Sequence, residues 1–319
     1  MNIKGIHHVS AITANAKKNY DFYTNVLGMR LVKKTVNQDD NSMYHLFYAD
    51  EKGSPGTDLT FFEIPRAGTT YSGTHSISTT SLRVKDDRAL EYWKERFDQF
   101  GVDQDPIKEV LNRKTLSFRD PEGQRLTLVS DGNNEGVAPG VAWDQSPVPQ
   151  QAGINGLGPV HLTVADAAPT ANVLIDILGF RKVGTIDNRI VFETGEGGTG
   201  AEVHVEVNPE LPRERPGRGS VHHVAFRVED EAELAKWEDK IRGAGFPNSG
   251  LVDRFYFKSL YFREPNHILF ELATDGPGFA TDEDENHLGE SLALPPFLEH
   301  KRQQIESELV PLDTSNKQN

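Results

Sequence analysis

The alternation of apolar and polar residues is clearest in the segment that follows residue 220. "VHHVAFRVED" alternates with a period of two, which predicts a strand. "EAELAKWEDKIRGAGF" then places apolar residues at helical spacing and ends at a glycine. "RFYFKSLYFRE" and "HILFELAT" alternate again around a turn at Pro265-Asn266, which is typical of a hairpin. The segment therefore predicts a β-α-β-β-β unit.

The same pattern occurs four times, and the two halves of the chain resemble each other. Adding 144 to a residue number pairs Arg83 with Arg227, Trp93 with Trp237 and "SFRDPEGQRLTLVSDG" with "YFREPNHILFELATDG". Adding 151 pairs "NVLGMRLVKKT" with "DILGFRKVGT". So many coincidences at fixed offsets indicate an internal duplication. The predicted modules lie near residues 4–66, 76–132, 155–209 and 219–275.

These modules predict an α+β fold in which four βαβββ units form two domains with cupped sheets. The domains are expected at 1–132 and 155–275, joined by a Gly- and Pro-rich linker at 133–154. An extension, 276–319, follows. Its acidic stretch, "TDEDENHLGE", is expected to be solvated. Its segment "PPFLEHKRQQIESELV" predicts an amphipathic helix that packs back near the mouth of the site. The apolar side of that helix comprises Phe297, Leu298, Ile305 and Leu309.

Composition narrows the class of protein. The chain of 319 residues contains 34 basic and 48 acidic residues, and its formal charge of -14 disfavours a nucleic-acid or anionic-membrane partner. The absence of cysteine excludes disulfides, thiolate metal sites and thiol nucleophiles. No apolar run resembles a signal peptide or a transmembrane span, so we expect a cytoplasmic protein. The sequence leaves the oligomeric state open, and a homodimer is the commonest assembly of such proteins.

Adjacent histidines open the first strand of two modules. These residues are His7 and His8 in module one, and His222 and His223 in module four. The duplication provides a control, because Thr79 and Thr127 of module two stand at the places of His223 and Glu271, and Pro159 of module three stands at that of His8. Folding of the repeat therefore does not require these histidines, which favours a chemical role.

His223 and Glu271 lie in the first and last strands of module four, and these strands can lie side by side. His8 is the expected third ligand, which requires modules one and four to share the site and leaves modules two and three without metal. Two imidazoles and one carboxylate on one face of an ion form the facial triad of non-haem Fe(II) oxygen chemistry. His7 and His222 point the other way in an ideal strand, but either could carry protons at the edge of the site.

The "HHV" strand openings, "VLGMRLVKKTVNQDD", "DPEG" and the tail "LGESLALPPFLEHKR" resemble the vicinal oxygen chelate superfamily. The whole-chain pattern is similar to its ring-cleaving branch, which includes the hydroquinone dioxygenases. That resemblance implies Fe(II), or sometimes Mn(II), bound by His8, His223 and Glu271, with a small aromatic diphenol and O2 as substrates. It also implies outer-sphere roles for four residues, and a serine, Ser10, where a threonine is usual. The four outer-sphere residues are His7, His222, Arg254 and Tyr261.

Arg254 and Tyr261 fall on opposite faces of an ideal strand, so both can line a pocket only if the chain bends between them. The bound diphenol could be hydroquinone, a substituted hydroquinone or catechol, because specificity depends on a few side chains.

Two alternatives stay open. Glu63 ends module one much as Glu271 ends module four, and a second carboxylate would make the site resemble that of glyoxalase I, a metal-dependent isomerase. A non-catalytic role in binding small molecules, as in antibiotic-binding members of the superfamily, is the third hypothesis. The other histidines are expected to be structural or surface residues. They are His45, His75, His161, His204, His267, His287 and His300.

Overall fold

The computed structural model describes residues 1–315 and contains four βαβββ modules, which confirms the predicted α+β class. In module one, the helix α1 (Ala16–Asp21) continues into a π-helical turn, Phe22–Val26. The strands of modules one and two are β1 (Ile6–Thr13), β2 (Arg30–Val36), β3 (Tyr44–Ala49), β4 (Asp58–Glu63), β5 (Ser76–Val84), β6 (Lys108–Val110), β7 (Arg113–Arg119) and β8 (Arg125–Ser130). The helix of module two is α2 (Asp87–Phe100).

Modules three and four repeat this arrangement. Their helices are α3 (Ala168–Asn172), which continues into the π-helical turn Val173–Ile177, and α4 (Glu231–Gly243). Their strands are β9 (Ile154–Val164), β10 (Arg181–Ile186), β11 (Arg189–Glu193), β12 (Glu202–Val207), β13 (Val221–Val228), β14 (Asn248–Asp253), β15 (Phe257–Arg263) and β16 (Leu269–Pro277). The predicted linker, 133–154, contains no helix or strand until β9 begins at Ile154.

Local sequence explains where the helices begin and end. Asp86 accepts hydrogen bonds from the amides of Arg88 and Ala89 before α2, and Asp230 accepts one from Glu233 in α4. Gly101 ends α2 with a φ of 67°, a conformation that costs glycine little. Trp93 and Trp237, which the duplication pairs, are both buried on the inner faces of these helices.

The strands form two eight-stranded mixed sheets, each built from one module of either half. The first sheet has the order β14-β15-β16-β13-β1-β4-β3-β2, and the second has β10-β11-β12-β9-β5-β8-β7-β6. The expected pairing of module one with module four is therefore correct. Each sheet contains strands from both predicted domains, 1–132 and 155–275. The division of the chain into these two domains stays a prediction.

The extension packs against β2, but it does not form the single amphipathic helix that the sequence predicts. Its helical part is two short helices, α5 (Pro296–Glu299) and α6 (Arg302–Glu308). Three of the four predicted apolar residues are buried, but Phe297 in α5 is 52% exposed. Residues 316–319 of the predicted extension lie outside the described residues.

The acidic stretch is not wholly solvated, so that prediction was wrong in part. Lys33 of β2 is fully buried, and its Nζ binds the carboxylates of Asp282 and Glu283. A buried ammonium needs such partners, because an unpaired charge in the interior is costly. The stretch thus neutralises a cation inside the protein. Within residues 1–315, no helix is long and apolar enough to span a bilayer.

Candidate metal centre

His8, His223 and Glu271 converge in the first sheet, where β13 lies between β1 and β16. The His8 Nε2 atom lies 3.2 Å from His223 Nε2, and Glu271 Oε2 lies 3.1 Å and 2.9 Å from these two nitrogens. Three perpendicular metal bonds of about 2.1 Å would place their donor atoms about 3.0 Å apart. The three atoms are therefore spaced as one face of an octahedral site requires. In the part of the chain that is described, no other group of three or more potential ligands converges in this way.

The charges and hydrogen bonds of this triad also fit a divalent metal. Glu271 is fully buried, and its Oε2 atom receives no aligned hydrogen bond, although the Oε1 atom accepts one from Ser259 Oγ at 2.6 Å. Burial raises the pKa of Glu271, but positive charge on the His8 and His223 imidazoles, when they are protonated, holds that pKa well below its usual value. A bound cation would supply the same positive charge in place of the Nε2 protons. An ionised, buried carboxylate with a free lone pair beside two imidazoles is a donor set for a cation.

A second pair of histidines fixes the tautomers of the ligands. His7 Nε2 lies 3.0 Å from the Thr274 carbonyl, to which it must donate, so His7 Nδ1 is an acceptor. The His8 Nδ1 atom, 3.0 Å away, therefore carries the proton, and His8 Nε2 keeps a free lone pair. His222 Nδ1 lies 2.8 Å from His223 Nδ1 in the same relation. Each ligand is thus oriented by the histidine before it.

The two outer histidines differ in their access to the site. His222 lines a cavity of about 340 Å³ next to the triad, whereas His7 is buried outside the cavity lining. A register shift between Ile6 and His8 in the pairing of β1 with β13 brings the His7 ring against that of His8, rather than to the opposite side of the sheet. The expectation that His7 reaches the edge of the site does not match its placement.

Arg254 and Tyr261 both line the cavity, and the chain bends between them. The bend lies at Phe255, whose φ of 72° turns the loop that joins β14 and β15. Arg254 Nε donates to Tyr261 Oη at 3.2 Å, and its two terminal nitrogens bind the Asp39 carboxylate at 3.2 Å and 3.0 Å. Burial raises the pKa of Tyr261, so its phenol stays protonated and can donate a hydrogen bond.

His45 belongs to this cavity, and the expectation of a surface histidine was wrong. Its ring lies between those of Phe47 and Phe62, with centroid distances of 4.0 Å and 4.1 Å. Its Nε2 atom lies 2.9 Å from Thr60 Oγ1, which in turn lies 2.7 Å from Ser10 Oγ. Sequence reasoning missed His45 because no repeat position marks it, and because its strand, "YHLFYA", shows no alternation of polar and apolar residues.

Glu63 does not lie at the triad. Its Oε1 atom accepts a hydrogen bond from the Ala16 amide at the start of α1, at 2.8 Å. The strand register explains this placement. His223 lies two residues before Ala225, the partner of Glu271, and His8 lies two residues before Ser10, the partner of Thr60. Thr60 thus stands at the place of Glu271 in module one.

The remaining wall of the cavity suits an aromatic ring. Apolar side chains line it, and the extension supports it from behind, because the Tyr256 Oη atom donates to Asp282 at 2.8 Å. The apolar and aromatic members are Ile12, Val36, Met43, Phe47, Phe62, Ile64, Tyr256, Phe257 and Leu269. A mostly apolar cleft with a few polar groups at one end is typical of a small-molecule site.

Comparisons with known proteins agree with this geometry. The sequence profile of the "Glyoxalase/Bleomycin resistance protein/Dioxygenase superfamily" matches residues 5–128 and 156–272. The chain is 54% identical to the "Putative ring-cleaving dioxygenase MhqA" of Bacillus subtilis, over 98% of this chain and 100% of that protein. It is 30% identical to the "Chlorohydroquinone/hydroquinone 1,2-dioxygenase" of Sphingobium indicum, over 95% of both.

A solved structure has the same fold over nearly the whole chain. A crystal structure of a "putative dioxygenase" from Bacillus subtilis superposes with a TM-score of 0.90 at 36% identity, and the match covers 98% of both chains.

Proposed function

The chain belongs to the Glyoxalase/Bleomycin resistance protein/Dioxygenase superfamily, and on that basis we propose that it is a ring-cleaving dioxygenase that uses Fe(II) and O2 to open a hydroquinone or a related diphenol. Mn(II) is the second candidate metal. The substrate class is supported by the relative whose printed name is chlorohydroquinone/hydroquinone 1,2-dioxygenase. The triad would hold the metal through His8 Nε2, His223 Nε2 and Glu271 Oε2.

The observation that carries the proposal is the identity of Thr60, which stands in module one at the position that Glu271 occupies in module four. Thr60 offers a hydroxyl, hydrogen-bonded to Ser10 and near His45, where a fourth protein ligand would stand in a site with two carboxylates. Three protein ligands leave adjacent positions for an oxygen atom of the substrate and for O2. Bound iron supplies Lewis acidity and electron transfer to O2.

The residues of the cavity have separate tasks in this proposal. The aromatic wall and His45 hold the ring of the diphenol, and their apolar surface excludes water. His222 accepts a hydrogen bond through Nδ1, so its Nε2–H is free to donate a hydrogen bond to an oxygen atom of the substrate in the cavity that it lines. His7 orients His8 instead, because its own Nε2–H is committed to Thr274.

Arg254 and Tyr261 stabilise negative charge that develops on the substrate oxygen. The two side chains are joined by a hydrogen bond, and Asp39 fixes the guanidinium with two more. A guanidinium and a neutral phenol that are already oriented act more strongly than mobile donors, because no reorganisation is needed during the reaction.

The test is anaerobic reconstitution with Fe(II), or with Mn(II), followed by oxygen uptake over a panel of hydroquinone, chlorohydroquinone, methylhydroquinone and catechol. We expect one equivalent of O2 consumed per ring opened, with a product that absorbs as a conjugated acid. The proposal fails if the iron-loaded protein consumes no O2 with any diphenol but isomerises a thiol hemithioacetal with Ni(II) or Zn(II).

A further inference from the structure

The second sheet encloses a cavity of about 170 Å³ at the place that corresponds to the metal centre of the first. Small hydroxyls and imidazoles stand at its inner end. Ser117, which the repeat pairs with Tyr261, has its hydroxyl 3.2 Å from that of Thr127, which the repeat pairs with Glu271. The residues of this inner end are Thr79, Ser117, Thr127, His161 and His204. The cavity thus keeps polar groups where the metal ligands have been lost.

The charge of this cavity is opposite to that of the chain. Three basic residues, Lys108, Arg113 and Arg189, line it, and no aspartate or glutamate does so among the described residues. This is unusual in a protein with 34 basic and 48 acidic residues. Burial lowers the pKa of His161 and of His204, so their neutral rings add no charge. A concave surface lined by one sign of charge attracts ions of the other sign.

Of the two guanidinium groups that line the cavity, that of Arg189 is the less completely paired, whereas the third cation, Lys108, is exposed to solvent. The Arg113 guanidinium binds both oxygens of Glu202, at 2.9 Å and 2.7 Å, so its charge is neutralised. The Arg189 guanidinium lies 3.8 Å from Glu206, and its Nε atom has no hydrogen-bond partner. A donor left without a partner in the interior is costly, which favours a bound group that accepts from it.

One half-satisfied guanidinium matches one singly charged ligand, and other residues that line the cavity are apolar. The apolar lining residues are Val110, Leu111, Val129 and Pro159. The hydroxyls of Ser117 and Thr127 also line the cavity, and either can donate to an oxygen atom of a bound group. We propose that the cavity of the second sheet binds a small organic monocarboxylate, with its carboxylate on Arg189 and its hydrocarbon part on the apolar lining residues.

The site is distinct from its acidic surroundings. A neighbouring cleft of about 190 Å³, which also contacts Thr79, Ser117 and Thr127, is lined by two aspartates and two arginines. They are Asp103, Asp105, Arg119 and Arg125. Both arginines of this cleft already have carboxylate partners, since Arg119 lies 3.0 Å from Asp103 and Arg125 lies 3.5 Å from Glu214. The cleft therefore favours a bound anion less than the cavity that Arg189 lines. An anion is therefore expected in only one of the two spaces.

Butanoate is a suitable probe, because it has one carboxylate and a short hydrocarbon chain. Isothermal titration of the metal-free, full-length protein should give saturable binding of one butanoate per chain. Arg189→Gln should raise the Kd for butanoate at least about tenfold, since a hydrogen-bonded charge pair is lost. Arg254→Gln, which alters the cavity of the first sheet, and Arg181→Gln, which alters an exposed arginine on β10, should leave the Kd unchanged.

Four results would overturn the proposal. They are the absence of saturable binding by the unaltered protein, an unchanged Kd in Arg189→Gln, a loss of binding in Arg254→Gln, and tighter binding of phosphate than of butanoate. Should Arg189→Gln fail to fold, as judged by circular dichroism, Ser117→Ala provides the second test. It should weaken butanoate binding several-fold, and an unchanged Kd in that variant would also overturn the proposal.

Discussion

The two sheets share one strand order but differ in what their inner faces carry. Each module contributes two inward-facing residues at equivalent positions, one from its first strand and one from its last. In the first sheet three of these four residues are potential metal ligands. In the second sheet only one is. The four pairs, from module one to module four, are His8 and Thr60, Thr79 and Thr127, Pro159 and His204, and His223 and Glu271. The comparison teaches that the fold supplies the places and that side chains alone decide whether they hold metal.

The sheets also differ at equivalent edges. β2 and β10 are related by the duplication, yet every residue of β2 is buried and most of β10 is exposed, with Val183 at 58% and Ile186 at 41%. The extension covers β2, where Lys34 Nζ donates to the Leu312 carbonyl at 2.9 Å. The sheet with the candidate metal centre is therefore also the sheet whose β2 edge is covered by the extension.

The largest expected effect is on the metal itself. His8→Ala, His223→Ala and Glu271→Ala should each abolish tight metal binding and reduce ring cleavage to background, because two ligands do not make a facial site. Metal analysis of the unaltered protein should give one ion per chain. The matched control is Glu63→Gln, which removes a carboxylate from β4 and should retain both metal and activity. Two tightly bound ions per chain would contradict the difference between the sheets.

The stability of the protein at the covered β2 edge should depend on two carboxylates of the acidic stretch. Combined Asp282→Asn and Glu283→Gln changes leave Lys33 buried without a counter-charge and should lower the free energy of unfolding by about 3–5 kcal/mol. Urea denaturation measures this loss. Adding Lys33→Met should restore most of it, since the buried charge is then gone. Glu299→Gln, which breaks an exposed pair with Arg302, serves as the control and should change stability by less than about 1 kcal/mol.

Tyr261 separates metal binding from catalysis. Tyr261→Phe should slow ring cleavage on the order of 10²-fold, because one donor to the developing charge is lost, whereas bound metal should stay at one ion per chain. Steady-state oxygen uptake and metal analysis on the same sample provide both readouts. Full activity of this variant would remove Tyr261 from the mechanism. Metal loss would mean that it acts by supporting His223, whose ring lies 5.8 Å away.

The smallest expected effect concerns acid stability of the second sheet. Burial would raise the pKa of Glu202, but hydrogen bonds from His204 and Arg113 hold it at about 2, below its ordinary value of 4.5. Its contribution is therefore present above pH 4.5 and is lost as pH falls from 4.5 towards 2. In urea denaturation of the metal-free protein, Glu202→Gln should be less stable by on the order of 2 kcal/mol at pH 7, with a smaller deficit at pH 3. An equal deficit at both pH values would contradict this.

The sequence predicted the features that depend on repetition. The offsets of 144 and 151 residues identified the modules, and the missing histidines of modules two and three predicted which modules share a sheet. Strand alternation alone could not place Glu63, because the choice between Glu63 and Thr60 depends on the register of β1 with β4. Thr60 and Glu63 lie in the same strand, β4, only three positions apart.

Contacts between distant segments were not predictable. Asp282 and Glu283 were expected to be solvated, because an acidic run gives no indication that a lysine about 250 residues away will be buried beneath it. His45 was missed for a similar reason, since its neighbours Phe62 and Thr60 come from another strand. The pairing of Arg254 with Asp39 likewise depends on a loop of module one that reaches across the cavity.

The pairing of the first module with the last has a consequence for the order of events during synthesis. All strands of the second sheet have been made once Val207 has been added, but Glu271 follows 64 residues later, about 3–13 s at ordinary rates of translation. Until then, β1–β4 can form only half a sheet, in which β1, the strand that carries His8, is an open edge. The nascent chain can therefore complete the second sheet first. It acquires the ability to hold a metal only when its last module has been synthesised.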